Sequence, residues 1–152
     1  PGLNLVKRIA ASDKRTSFVG SDFFYEDVSG RNPDADIHEL VETTDTYYVL
    51  KNTPKDPKSV EFAAYTVWIH KGTFIPVKGE YTDAAGNKIR EMQALEVKEI
   101  QGFQTVTKSV LSDLRTGSST TITYNKVEYN LGLAEDLFTE RYLRNPPRAQ
   151  LR

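Results

Sequence analysis

Between Phe62 and Tyr129 the sequence repeats one pattern, runs of alternating apolar and polar residues each closed by a short turn signal. Period-two alternation marks a strand with one face buried, and turns this short join only antiparallel neighbours. The stretch therefore predicts five consecutive antiparallel strands. In Ala63 to His70, Tyr65, Val67 and Ile69 share one face while Ala64, Thr66 and Trp68 share the other. Lys71-Gly72 returns the chain into Thr73 to Thr82, where Ile75, Val77 and Tyr81 oppose Lys78 and Glu80. Asp83-Ala84-Ala85-Gly86-Asn87 is a hairpin loop whose glycine stands where a positive φ is needed.

The next strand, Lys88 to Ile100, breaks the parity, because Met92 and Leu95 cannot share a face of a regular strand. A bulge near Glu91-Met92 reconciles them. Gln101-Gly102 then turns into Phe103 to Leu114, where Val106, Val110 and Leu114 alternate with Thr105, Thr107, Ser109 and Leu111. Arg115-Thr116-Gly117-Ser118 turns once more into Ser119 to Tyr129, a run rich in β-forming residues. Strands of ten or more residues span about 33 Å. A sheet of that length curls or is covered. The expected architecture is mainly β, a curved antiparallel meander with one apolar concave face.

The flanking sequence adds short elements. Leu3 to Ala10 reads as an edge strand and Ala11 to Thr16 as loop. Ser21 to Val28 reads as a short helix with Ser21 as N-cap, acidic early turns and Gly30 at the C′ position. Ile37 to Val41 and Thr46 to Lys51 form a hairpin, and Asn52 to Ser59 is an exposed loop. Ala134 to Leu143 reads as an amphipathic helix with Leu137, Phe138 and Tyr142 on one side.

At 152 residues the chain is one domain with room for a core, and its net charge of −1 argues against nucleic acid as a partner. It has no cysteine, so neither a disulfide framework nor a thiolate nucleophile is available. The two histidines, His38 and His70, have no neighbours spaced as zinc ligands. Asp22, Glu26 and Asp27 read as complements to a helix dipole rather than an acid–base pair. No serine sits in a nucleophile elbow and no glycine run cradles phosphate. Arg141, Arg144, Arg148 and Arg152 form a solvated basic tail. The residues predict no enzyme, no metal and no cofactor.

One feature exceeds an ordinary core, the density of aromatic and apolar residues available to a single curved sheet with few helices. A concave apolar pocket is then the default binding site. The expected cavity and lid residues are Phe23, Phe24, Tyr25, Phe62, Tyr65, Trp68, Phe74, Ile75, Tyr81, Leu95, Val106 and Val110.

Gly20-Ser21-Asp22-Phe23 with Tyr25-Glu26-Asp27, Trp68-Ile69 followed by Phe74-Ile75-Pro76, and Asp136-Leu137-Phe138-Thr139-Glu140-Arg141-Tyr142-Leu143 resemble the outer-membrane lipoprotein-sorting protein family, a branch of the LolA/LolB-like carriers. The resemblance implies an incomplete, unclosed β-barrel lidded by short helices, with a hydrophobic cavity for the acyl chains of lipoproteins or other lipids. It implies a periplasmic address in a Gram-negative envelope and transfer toward the outer membrane. The implied partners are the lipid cargo, an inner-membrane transporter and an outer-membrane acceptor. Family members carry a signal sequence, a first helix and several strands before the position matching Leu3. Residues 1–152 are therefore expected to be a single, N-terminally truncated LolA-like half-barrel, with an open strand edge that associates with another copy. Related folds also serve as envelope sensors that bind protein partners, and an enzyme on the same scaffold is not excluded by fold alone.

Overall fold

The computed structural model describes residues 9–145. Most of the expected Leu3 to Ala10 strand, with Arg148 and Arg152 of the basic tail, lies outside the described residues. Seven strands follow one another in space as in sequence, in the order β1-β2-β3-β4-β5-β6-β7. They are β1 (Asp36–Thr43), β2 (Tyr47–Pro54), β3 (Ala64–His70), β4 (Pro76–Thr82), β5 (Lys88–Ile100), β6 (Phe103–Asp113) and β7 (Ser118–Thr123). Every adjacent pair is antiparallel. Among the described residues no strand joins β1 to β7, so the curved meander stays an unclosed barrel.

The turns follow from their residues. Asp83 receives the backbone N–H groups of Ala85 and Asn87 at 2.9 and 2.8 Å, and Gly86 takes φ +84°. Gln101 and Gly102 both take positive φ, 52° and 83°, as a two-residue hairpin turn requires.

Four expectations are corrected. The parity break in β5 is resolved after Ala94, not at Glu91-Met92: the pairing with β6 skips Leu95, which is 49 % exposed. Met92 stays in regular register between Gly79 and Leu111. The last strand ends at Thr123. Tyr124 still donates to the Thr107 carbonyl at 2.9 Å, but Lys108–Thr123 is the last strand pair of the ladder.

The predicted helix Ser21 to Val28 shrinks to α1 (Tyr25–Ser29), with extended Phe24 at its N-cap. The Asp27 carboxylate accepts the Phe24 N–H at 2.6 Å. Upstream, residues 17–24 make a small hairpin instead. Ser17 and Phe24 form a bridge, Phe18 donates to the Phe23 carbonyl at 2.7 Å, and Val19 and Gly20 turn the chain at φ 51° and 77°. Ser21 serves that turn, its hydroxyl donating to the Phe18 carbonyl at 2.6 Å. The C-terminal helix is interrupted: a 3₁₀ turn, Glu135–Phe138, is followed by α2 (Glu140–Arg144), because Thr139 between them is extended. Its hydroxyl and N–H both return to the Asp136 carbonyl, at 2.7 and 3.2 Å. Leu137 and Tyr142 are half-buried, whereas Phe138 faces solvent.

Candidate functional site

Cross-strand partners share a face of a sheet, so the register sorts the inner face into rows. The first runs His38, Asn52, Tyr65, Tyr81, Arg90, Asp113, Ser118 from β1 to β7. Residues 17–36 lie against this row and are fastened to it by polar contacts. Arg90, 2 % exposed, donates to the Asp27 carboxylate at 2.6 Å and the Asp22 carbonyl at 3.2 Å. Its guanidinium lies 4.0 Å from the centroid of the Phe24 ring and 5.5 Å from that of Tyr81. The Asp22 carboxylate accepts the hydroxyls of Ser118 and Thr120 on β7, which together hold it below the usual carboxylate range.

At the other end, Arg31 forks onto Asp36 with two bonds of 2.8 Å, and the Tyr65 hydroxyl donates to the same carboxylate at 2.7 Å. Burial disfavours the Asp36 charge, yet these donors together outweigh it and keep the group acidic. Phe62 closes the cluster, edge-on to Tyr65 and Tyr81, with the guanidinium groups of Arg15 and Arg31 over its ring at 5.8 and 5.6 Å. Arg15 pairs with Glu61, and Tyr65 stacks on Tyr81 at 5.2 Å. Burial, helped by Asp27, pushes the Tyr81 hydroxyl up to about 12. This end of the face is a packed plug of rings and ion pairs.

The rows beyond it are different. Leu40, Leu50, Val67, Gly79, Met92, Leu111 and Thr120 form the second; Tyr48, Ile69 and Pro76, and then Ala94, Ser109 and Ile122, continue the face. Most of these side chains are half-buried; Leu111 is fully buried, and Leu40 is 57 % exposed. Next to them opens a hollow of about 650 Å³. Pro76, Met92, Ala94 and Ser109 of the sheet line it, and so do Tyr124, Val127 and Tyr129 of the segment after β7. That segment is a strap fastened at both ends. Tyr124 bonds to Thr107, while the Tyr129 N–H donates to the Gln101 side chain at 2.6 Å and its ring meets Phe103 at 4.8 Å. The Thr105 hydroxyl donates to the Phe103 carbonyl, so at 2.7 Å it accepts the Tyr129 hydroxyl proton. Thr105 and Val106 also line the hollow, and the Lys126–Glu128 ion pair, 3.1 Å long, stands exposed beside it.

The residues singled out from sequence divide accordingly. Phe23, Phe24, Phe62, Tyr65 and Tyr81 meet in or beside the plug, and Tyr25 packs edge-on to Phe18 at 5.3 Å. Trp68 lies on the outer face, its ring under the Lys78 ammonium at 5.0 Å. Val110 also faces outward, paired with Gln93 and Thr121. Phe74 is 71 % exposed in a turn at φ +55°, and Ile75 sits half-buried in the same turn. Leu95 is extruded at the bulge. Of the set, Val106 lines the hollow. The residues missed are Met92, Ala94, Tyr124, Val127 and Tyr129. The parity break in β5 pointed at the first two, and Asn125-Lys126, poor strand residues, pointed at the strap. Among the described residues no group of three or more histidines and carboxylates is placed to hold a metal.

A family model described as "Uncharacterized protein" matches residues 1–145. No curated protein matches the chain. Among solved structures it is similar to a DUF1329 family protein from Desulfovibrio piger, with 29% identity and a TM-score of 0.79, and to a domain from Vibrio parahaemolyticus named for outer membrane lipoprotein sorting, with 26% identity and a TM-score of 0.79. In both comparisons 91% of this chain is covered. A LolA superfamily protein from Nitrosomonas europaea matches 85% of the chain at 22% identity and a TM-score of 0.66, which shows the shared fold. The chain spans 60% of the length of each of these structures. The chain thus belongs to the family matched over residues 1–145, and its unclosed seven-stranded meander is LolA-like.

Proposed function

We propose that this chain is a binding module of the periplasm that shields acyl chains, those of lipoproteins or of another lipid, on their way toward the outer membrane. The observation that carries the reading is the inner face itself. Leu40, Leu50, Val67, Met92 and Ile69 stay partly open to solvent beside a hollow, while the ordered lid segment is spent on the neighbouring row. Apolar surface left partly open in this way points to an interaction site. The name of the Vibrio parahaemolyticus domain, lipoprotein sorting, agrees with an acyl ligand. Binding is then hydrophobic, with about 0.8 kcal/mol gained for each buried methylene, and involves no bond making. Mass spectrometry of lipid extracted from detergent-free protein tests it. Co-purifying acyl lipid, or saturable binding of palmitate, is expected. Absence of both overturns the reading.

A second reading rests on β1. Among the described residues no strand pairs with its outer edge, and Ile37, Leu40 and Val41 are exposed, which suits a protein partner, or another copy, that adds a strand. Light scattering at high concentration separates the two. A strict monomer that takes up lipid favours the carrier alone.

A further inference from the structure

We propose that His38 is a pH-operated clasp at the β1 corner of the plug. With both ring nitrogens protonated it ties the turn Pro33–Ala35 to β1 and β2; on losing one proton it keeps its hold on β2 and lets the turn go. The inference is independent of the carrier reading. It starts from where the ring stands, between two acceptors. Nδ1 lies 2.6 Å from the Asn52 Oδ1, and Nε2 lies 2.8 Å from the Pro33 carbonyl. The Asn52 amide has a fixed orientation, because its nitrogen donates to the carbonyls of Leu50 and Tyr65, both at 3.3 Å. Neither oxygen facing the ring can donate, so both bonds form only when both ring nitrogens carry a proton. The geometry is that of an imidazolium.

A neutral imidazole has one N–H for these two acceptors, so one bond must open. The acceptors are unequal. Asn52 is 3 % exposed, and among the described residues no other donor reaches its Oδ1. Taking His38 away from it strands a buried acceptor. Pro33 is exposed, and its carbonyl also accepts the Asp36 N–H, so water replaces His38 there at little cost. The proton therefore stays on Nδ1, and the bond to the turn is the one that opens.

The charges around the ring are few. Asp36, two residues back along β1, favours the charged form, and Lys55, just past β2, opposes it. Asp34 stands exposed in the turn itself, while Glu39 and Lys51 lie on the opposite face of the sheet. Arg31 and the Tyr65 hydroxyl are bonded to the Asp36 carboxylate. That fork is the other tie of this corner and does not share the switch: Asp36 is held below the usual carboxylate range, so the fork stays closed across neutral pH. With the clasp open, the turn still leans on Lys55, whose N–H donates to the Ala35 carbonyl at 3.0 Å and whose ammonium donates to the Asp34 carbonyl at 2.8 Å. The turn is loosened rather than detached, and those bonds report it.

The test is nuclear magnetic resonance of the full chain across the histidine range, about pH 5 to 9. Ring nitrogen shifts give the protonation state and tautomer of His38, and His38→Gln separates its signals from those of His70, the second histidine of the chain. A pKa above the ordinary value of about 6.5 is expected, with the Nδ1–H tautomer beyond it. Exchange of the Lys55 amide, corrected for the intrinsic effect of pH, should quicken about fivefold through the same titration, the worth of one exposed hydrogen bond. In His38→Gln that step is absent. A pKa at or below about 6.5, an Nε2–H tautomer in the neutral ring, or a Lys55 amide with no step at the His38 titration overturns the inference. All three are read on the unmutated chain, so the outcome does not depend on how the variant folds.

Discussion

Replacing Arg90 with methionine tests how the plug is held. The side chain is 2 % exposed and pairs with Asp27 at 2.6 Å. Its loss strands the Asp27 carboxylate and the Asp22 carbonyl beside the Phe24 ring, with no other cation of the described residues paired to Asp27. Removing one partner of a buried ion pair costs about 3–5 kcal/mol, because the remaining charge is left desolvated. Methionine fills much of the space against Phe24 and Tyr81, which offsets part of the packing loss but none of the charge loss. Asp27 is 14 % exposed and recovers some hydration, so the lower end of the range, about 3 kcal/mol, is the expected figure. Urea unfolding gives the number, and the double variant Arg90→Met, Asp27→Leu gives the coupling. With no stranded charge, the double variant should be more stable than Arg90→Met alone. Hydrogen exchange should quicken at the Phe18 and Tyr25 amides, which bond across residues 16–25. A loss below about 1 kcal/mol for Arg90→Met, or a double variant no better than the single, would refute the claim that this ion pair fastens residues 17–36.

Three further outcomes are expected. Val19 is a solvent-facing β-branched residue at φ 51°, a region that disfavours it, so Val19→Asn should stabilise the protein by about 1 kcal/mol in the same unfolding assay. Tyr129→Phe removes the bond to Thr105 and Gln101→Ala the bond to the Tyr129 amide; each should cost about 1 kcal/mol or less and hasten release of a bound fatty acid in stopped flow. His38 is held between the Asn52 amide oxygen and the Pro33 carbonyl, at 2.6 and 2.8 Å, and these acceptors raise its pKa. A raised folded pKa means stabilisation present in full below the unfolded value of about 6.5 and lost as pH rises through the folded value. Thermal midpoints should therefore fall across that window, and His38→Ala should flatten the slope.

The meander was legible because each of its strands alternates and each turn carries its own chemistry, from Asp83 and Gly86 to Gln101 and Gly102. What failed was local, and each failure has a physical cause. Ser21 is a good helix cap by residue type, but its hydroxyl is used by the Val19-Gly20 turn, and the helix starts where Asp27 reaches the Phe24 amide. The site was harder to read, since aromatic density does not tell a plug from a pocket. The arginines decide it: Arg90, Arg31 and Arg15 draw Phe24, Phe62 and Tyr81 into ion-paired packing. The long-range pairs that fasten the lid, Asp27 with Arg90 and Asp22 with Thr120, are invisible to any periodicity. The hollow is lined instead by the modest residues Met92, Ala94 and Ser109.

The division of the inner face is written along one strand. On β5, Arg90, Met92 and Ala94 point the same way at two-residue steps, the first into the plug, the second and third into the hollow. Glu91 and Gln93 point outward, where Glu91 joins the ion pairs of Lys78 and Glu80. A segment that covered this sheet by hydrophobic contact alone would settle over the apolar rows, where burial gains most per unit area. Residues 17–36 do not. They are tied to Ser118 of β7 at Asp22, to Arg90 of β5 at Asp27 and to Asp36 of β1 at Arg31, contacts that span the sheet from β7 to β1 and contribute less net stability than apolar burial does. Polar fastening of the lid leaves Leu40 exposed and Leu50, Val67, Met92 and Ile69 half-buried rather than sealed, and partly open apolar surface is the property that the proposed carriage of acyl chains requires.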